Sequence, residues 1–172
     1  MFLKTTIINL IIFLSTFKLL AQEYTLLENV SYYGENFSDS YQRKRCKLDL
    51  YYPNGIKNFS TVVWFHGGGL KAGNKSVPEQ FKEKGIAVVA VNYRLHPKVK
   101  APVYIEDAAA AVAWTFRNIA KYGGDPDKII LSGSSAGGYL TLMVGLDKSY
   151  LQIHQIEAND ILALLPLTGH TI

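Results

Sequence analysis

The stretch KIILSGSSAGG, residues 128–138, decides the fold. It opens with a short apolar run, Lys128–Leu131. A turn follows, with Gly133, Ser135 and Gly137 at the fixed positions of G-x-S-x-G. Residues Tyr139–Leu146 then read as a helix. The pattern alone turns up by chance in roughly one chain in twenty of this length at average glycine and serine usage. Strand, sharp turn and helix in succession are what give it meaning. Such a turn strains the backbone at Ser135 and lifts its hydroxyl above the sheet. Gly133 and Gly137 leave room where side chains would strike the neighbouring strand and helix. The new helix also brings the positive end of its dipole to the same place, which favours developing negative charge. The competing reading is a Gly/Ser-rich helix cap or a phosphate-binding turn.

Upstream, the run TVVWF (61–65) leads directly into His66-Gly67-Gly68-Gly69. Consecutive glycines let backbone N–H groups approach a ligand with no side chain in the way, as an oxyanion requires. Gly68 and Gly69 are the candidate donors, with Gly67 a lesser third and the N–H of Ala136 completing the set. His66 precedes the serine at the base of the loop and is expected to brace it rather than act as a base. IAVVAV (86–91) and ILALL (161–165) are further continuous apolar runs, which suit parallel strands covered on both faces. Tyr24–Tyr33 alternates weakly and Arg45–Tyr52 clearly, so both read as strands with one wet face at an antiparallel edge. A helix is predicted from Pro102 to Tyr122, with Ile105, Ala109, Val112, Phe116 and Ile119 on one stripe and Gly123 as its stop. A shorter helix is predicted from Pro78 to Gly85, and Asp125-Pro126-Asp127 reads as a turn. The alternation implies right-handed crossovers and a mostly parallel sheet of the α/β class, with flanking helices.

The composition fits one globular domain: 172 residues, 48% apolar and 19% charged. That argues against a disordered tail or a fibre. Residues 1–21 read as a signal peptide, with Lys4, the apolar stretch from Ile7 to Leu14 and Ala21 at the cleavage edge. The apolar part is too short for a stable membrane span. Cleavage would send residues 22–172 out of the cytoplasm, to the periplasm or medium. Losing Lys4 and Lys18 lowers the net charge from +4 to +2. The tight basic cluster Arg43, Lys44, Arg45, Lys47 has no aromatic interleaving, which argues against nucleic acid. Cys46 is the sole cysteine and reads as a small buried hydrophobe. Neither a metal cluster nor a dinucleotide fingerprint is legible, so no cofactor is expected.

VVWFHGGG (62–69), VAVNYRL (89–95), the helix start at 102–107 and YGGDPDKIILSGSSAGG (122–138) together resemble the α/β-hydrolase fold. The likeness is greatest to the HGGG carboxylesterase/lipase branch, the hormone-sensitive-lipase-like and secreted acyl-esterase group, over about residues 45–170. The resemblance implies a serine nucleophile at Ser135, oxyanion donors at Gly68, Gly69 and Ala136, and an acyl-enzyme on a small carboxylic ester, with short acyl groups on carbohydrate among the candidates. It implies structural support from Asn92-Tyr93-Arg94. In this family the triad acid and histidine follow later strands. The expectation is therefore an N-terminal portion of such a domain, lacking the last strand–helix units together with the acid and the histidine. A C-terminal segment or a complementing chain would supply them. Asp160 precedes its strand and so lies at the wrong end of the sheet; His170 lies at the right end as a makeshift base. The alternative is a non-catalytic remnant or ligand-binding pseudoenzyme.

Overall fold

β-Branched runs keep the backbone extended in β3 and β4, and the described residues form six strands: β1 (Tyr24–Ser31), β2 (Lys47–Pro53), β3 (Phe59–Phe65), β4 (Ala87–Val91), β5 (Gly124–Ser134) and β6 (Ala163–Leu167). The computed structural model describes residues 22–35 and 37–168. One sheet forms in the order β1-β2-β4-β3-β5-β6. β1 and β2 pair antiparallel, as does β2 with β4. The pairs β3–β4, β3–β5 and β5–β6 are parallel. The mostly parallel sheet with an antiparallel margin follows the expectation.

Among the described residues four α-helices accompany it: α1 (Ser40–Arg45), α2 (Val103–Asn118), α3 (Ala136–Leu146) and α4 (Ser149–Gln152). Val63, Phe65, Val89, Ile129 and Leu131 are fully buried in one core with Ile105, Ala109 and Val112 of α2 and Leu140 and Val144 of α3. The alanines of α2 let the helix approach the strands closely. On the opposite face, Trp64 meets Phe81 edge-on at 5.6 Å. Gly123 ends the 3₁₀ extension of α2 with a φ of +98°, the left-handed stop that the sequence called for.

Four expectations need correction, the first being the turn expected at Asp125-Pro126-Asp127, which lies inside β5 because that strand starts at Gly124. The helix expected over 78–85 is a single 3₁₀ turn, Glu79–Phe81, because Gly85 and polar neighbours give it no apolar stripe to bury. The strand expected at ILALL begins two residues later and is not covered on both faces: Leu162, Leu165 and Leu167 are 57%, 48% and 42% exposed. The alternating strand begins at Lys47, since Arg45 closes α1. That helix is capped by Asp39, whose Oδ1 accepts the Gln42 N–H at 2.7 Å. The spacing Asp39…Gln42 was the available signal for it.

Candidate active site

The turn between β5 and α3 is strained at one residue. Ser135 holds φ +53° and ψ −113°, a conformation that costs a side-chain-bearing residue about 1–3 kcal/mol. It persists because its neighbours fix it. The Ser135 N–H donates to the Leu167 carbonyl at 2.9 Å, and Tyr139 N–H donates to the Ser135 carbonyl at 3.0 Å. One turn earlier, Ser132 Oγ donates to the Leu165 carbonyl at 2.8 Å. The flanking glycines are sterically required. A Cβ at Gly133 would lie 2.5 Å from the Gly137 carbonyl and 2.7 Å from the Phe65 oxygen. A Cβ at Gly137 would overlap the Phe65 carbonyl and approach the His66 oxygen at 2.9 Å. Ser135 itself is exposed. No hydrogen bond engages its hydroxyl among the described residues.

The glycine loop after β3 lies against this turn. A Cβ on Gly67 would stand 2.9 Å from the Ser134 oxygen and 3.5 Å from Ser135 Cβ, so Gly67 is the point of closest approach. Gly68 and Gly69 have φ of +112° and +61°. The Gly67 carbonyl is 2.7 Å from His66 Nδ1. The Gly68 carbonyl accepts from both Lys71 N–H and Ala72 N–H at 3.0 Å. In a trans peptide, C=O and N–H point opposite ways. Fixing those two carbonyls therefore turns the Gly68 and Gly69 N–H groups away from the protein's own acceptors. Neither donates to a backbone acceptor among the described residues.

Arg45 organises the loop, and the sequence reading did not find it. Its Nη2 contacts His66 Nε2 at 3.1 Å and donates to the Gly73 carbonyl at 2.7 Å. Its Nη1 donates to Asn74 Oδ1 at 2.6 Å and its Nε to the Tyr93 carbonyl at 3.0 Å. Arginine has only donors, so His66 Nε2 must accept, and the ring proton sits on Nδ1, donated to Gly67. Tyr93 completes the brace: its hydroxyl donates to the His66 carbonyl at 2.7 Å, and its ring stacks on the imidazole at 4.4 Å. His66 is thus the brace that was expected. Arg45 was hidden because a basic run on a short helix looks like a solvated face.

Burial pushes the His66 imidazole down to about 4; the Gly67 bond opposes this and the Arg45 charge adds to it. In the unfolded chain the ring has its ordinary value near 6.5. Between about pH 6.5 and about 4 the unfolded state therefore binds a proton that the folded state refuses. From this ring, stability is flat above that window and falls as the pH drops through it, by at most about 1.4 kcal/mol per pH unit. NMR titration of the His66 ring is expected to show no midpoint above pH 5. A midpoint near 6.5 would remove this account of the brace.

The other acids and histidines, and the cysteine, fall elsewhere. Asp160 lies in a 3₁₀ turn ahead of β6, at the end of the sheet opposite Ser135. Asp147 caps the end of α3 and accepts the Ser149 hydroxyl at 2.6 Å. The His154 carbonyl accepts from Arg117. The His96 N–H donates to the Leu70 carbonyl at 2.8 Å, so His96 is a loop residue at the flank of the glycine segment. Cys46 is fully buried, and burial with the nearby Asp107 charge pushes its thiol up to about 12. Among the described residues there is no cluster of His, Cys, Asp or Glu able to hold a metal, and no helix long and apolar enough to cross a membrane. His170 and the 1–21 segment lie outside the described residues.

The model of the family described as BD-FAE matches residues 48–161. A curated relative, Lipase 2 of Moraxella sp. (strain TA144), is 38% identical over 90 residues, covering 49% of this chain and 21% of the lipase. Esterase B from Lactobacillus rhamnosus (HN001) superposes with a TM-score of 0.68 at 25% identity, over 87% of this chain and 49% of the esterase. The truncated form of a carbohydrate esterase from gut microbiota superposes with a TM-score of 0.62 at 27% identity, over 76% and 46%. The chain spans about half the length of these two solved structures and about a fifth of the lipase.

Proposed function

The chain belongs to the BD-FAE family, and on that premise we propose that it carries the nucleophile and oxyanion site of a serine hydrolase acting on carboxylic esters. The observation that carries this reading is an exposed serine in strained backbone beside two glycine N–H groups with no backbone acceptor of their own. Ser135 Oγ attacks the ester carbonyl carbon and gives up its proton to a base. The carbonyl oxygen becomes an oxyanion held by the N–H groups of Gly68, Gly69 and Ala136, with Gly67 a lesser donor. Collapse expels the alcohol and leaves an acyl group on Ser135, which water then removes.

His66 is committed to Gly67 and Arg45, so the base is not drawn from it. In this reading the histidine and its acid come from a further C-terminal segment or a complementing chain. Unassisted, serine is a weak nucleophile. An oxyanion hole and binding alone sustain about 10³–10⁴ over water in serine hydrolases stripped of triad members. A short acyl ester, with carbohydrate as the alcohol, is the substrate class, supported by the carbohydrate esterase among the structural relatives. The segment 1–21 is read as an export signal, placing the site outside the cytoplasm.

A fluorophosphonate probe tests the reading. It is expected to leave a covalent adduct on the peptide that contains Ser135, and none in Ser135→Ala. A folded chain supplied with that histidine and acid that still takes up no adduct would favour the ligand-binding alternative.

A further inference from the structure

The charge that looks scattered along the sequence is gathered by the fold. α1, the loop from His66 to Lys75 and the loop from Asn92 to Pro102 all meet at the end of the sheet where β3, β4 and β5 finish, the end that carries Ser135. Arg45 ties the first two segments together through Gly73 and Asn74 and reaches the third at the Tyr93 carbonyl. Tyr41 joins α1 to the same loop through the Leu95 N–H. Six cations stand on or beside these segments: Arg43, Lys44, Lys47, Lys71, Lys98 and Lys100. All but the half-buried Lys47 are exposed, and the ion pairs of the described residues engage none of the six.

The acids nearby are mostly spent. Asp39 caps α1 and leans toward Arg94, Asp49 is held by Lys75 at 2.5 Å, and Asp107 is held by Arg94 at 2.7 Å. Glu35 and Glu106 are left against six cations. Asp125 and Asp127, at the start of β5, and Asp160, ahead of β6, lie at the opposite end. The end of the sheet that carries Ser135 is therefore net positive, and a rim of this kind concentrates anions within a Debye length of about 8 Å at physiological salt.

Resting on the ester-hydrolase reading, we propose that the substrate is an acyl ester carried on a polyanionic carbohydrate, a glycan bearing uronic-acid carboxylates, with the rim holding the polymer while Ser135 meets its ester. The chemistry of the rim selects this class. Nucleic acid carries no carboxylic ester. The rings that would stack its bases are already covered: Phe37 by Arg43 at 5.3 Å and Lys47 at 5.5 Å, and Tyr41 by Lys98 at 4.6 Å. A membrane surface would need apolar anchors among the cations. The large exposed apolar side chains, such as Leu146, Leu165 and Leu167, lie outside the three segments. Carboxylates repeated along a sugar chain match separate lysines without either.

The test measures binding to the Ser135→Ala chain, so that turnover plays no part. The probes are polygalacturonate, monomeric galacturonate, neutral xylan, a DNA duplex and phosphatidylserine-containing vesicles. Polygalacturonate is expected to bind, with affinity falling at least about tenfold from about 20 to about 300 mM salt. The double variant Lys44→Glu/Lys100→Glu, at positions whose side chains make no hydrogen bond or ion pair among the described residues, is expected to lose about tenfold at low salt with an unchanged circular dichroism spectrum. Equal affinity for neutral xylan would overturn the proposal, as would tighter binding of DNA or vesicles, binding of the monomer as tight as the polymer, or indifference to the double variant. Polygalacturonate binding without a fluorophosphonate adduct on the chain supplied with the histidine and acid would instead strike the hydrolase reading alone.

Discussion

Gly137→Ala is expected to lower the stability of the chain by about 3 kcal/mol or more, and with it the yield of soluble protein. The added methyl would overlap the carbonyl of Phe65, whose carbon and oxygen belong to a central strand, and would press on the His66 oxygen as well. Backbone in the middle of a sheet cannot step aside as the tip of a flexible side chain can. β3 is pinned on both sides, by β4 and by β5, so relief would require breaking ladder hydrogen bonds. The loss compares with a total stability of about 5–15 kcal/mol for a typical domain. Urea unfolding monitored by tryptophan fluorescence provides the measurement. Gly55→Asn serves as the control: Gly55 has φ +72° with nothing within 4 Å of a built Cβ, and asparagine tolerates that conformation, so its midpoint should hardly move. A Gly137→Ala midpoint equal to the wild type would mean that helix and strand are not packed as described.

The second large effect is expected at Asp107. This carboxylate is fully buried, and its oxygens accept from the Arg94 N–H at 2.9 Å, Nε at 2.8 Å and Nη2 at 2.7 Å, and from the Tyr33 hydroxyl at 2.9 Å. Burial, and then the Asp107 charge, drive the Tyr33 hydroxyl well above its ordinary range, so it stays protonated and donates. Asp107→Ala strands the Arg94 guanidinium, which is 8% exposed, without its main counter-charge. Breaking one side of such a pair costs about 3–5 kcal/mol, whereas replacing both partners by apolar groups of similar volume restores much of it. The expected outcome of a double-mutant cycle is a severe loss in Asp107→Ala, and a milder one in Asp107→Leu/Arg94→Met than the two single losses added together. A single variant within 1 kcal/mol of wild type would contradict the pair's role. Because Tyr93 precedes Arg94 and holds the His66 carbonyl, loosening this pair should also slow labelling of Ser135.

Much of this was legible from residue order. The elbow could be read because its chemistry is local: a serine between glycines, a strand before it and a helix after it all lie within about twenty positions. The glycine loop announced itself likewise. Arg45 could not be read that way. Its partners lie 21 to 48 positions away, and nothing in a basic hexapeptide says that one of its members turns inward to accept the company of His66 and Tyr93. The 78–85 segment misled because a proline and a glycine bracket it like a helix, while the apolar stripe that would make one worthwhile is absent. The ILALL run misled for the opposite reason. Its hydrophobicity promised two covered faces, but only the side carrying Leu164, which a Cβ on Gly145 of α3 would strike, meets a helix here.

The bond from the Ser135 amide to the Leu167 carbonyl has a mechanical meaning. The left-handed twist of Ser135 is a spring, and one of its catches is set in β6, at the edge of the sheet formed by the described residues. If β6 peels away, that catch opens and the strain at Ser135 is held by the turn's remaining contacts alone. Whatever lies against that strand therefore acts on Ser135 without touching it, by deciding how firmly the spring is held.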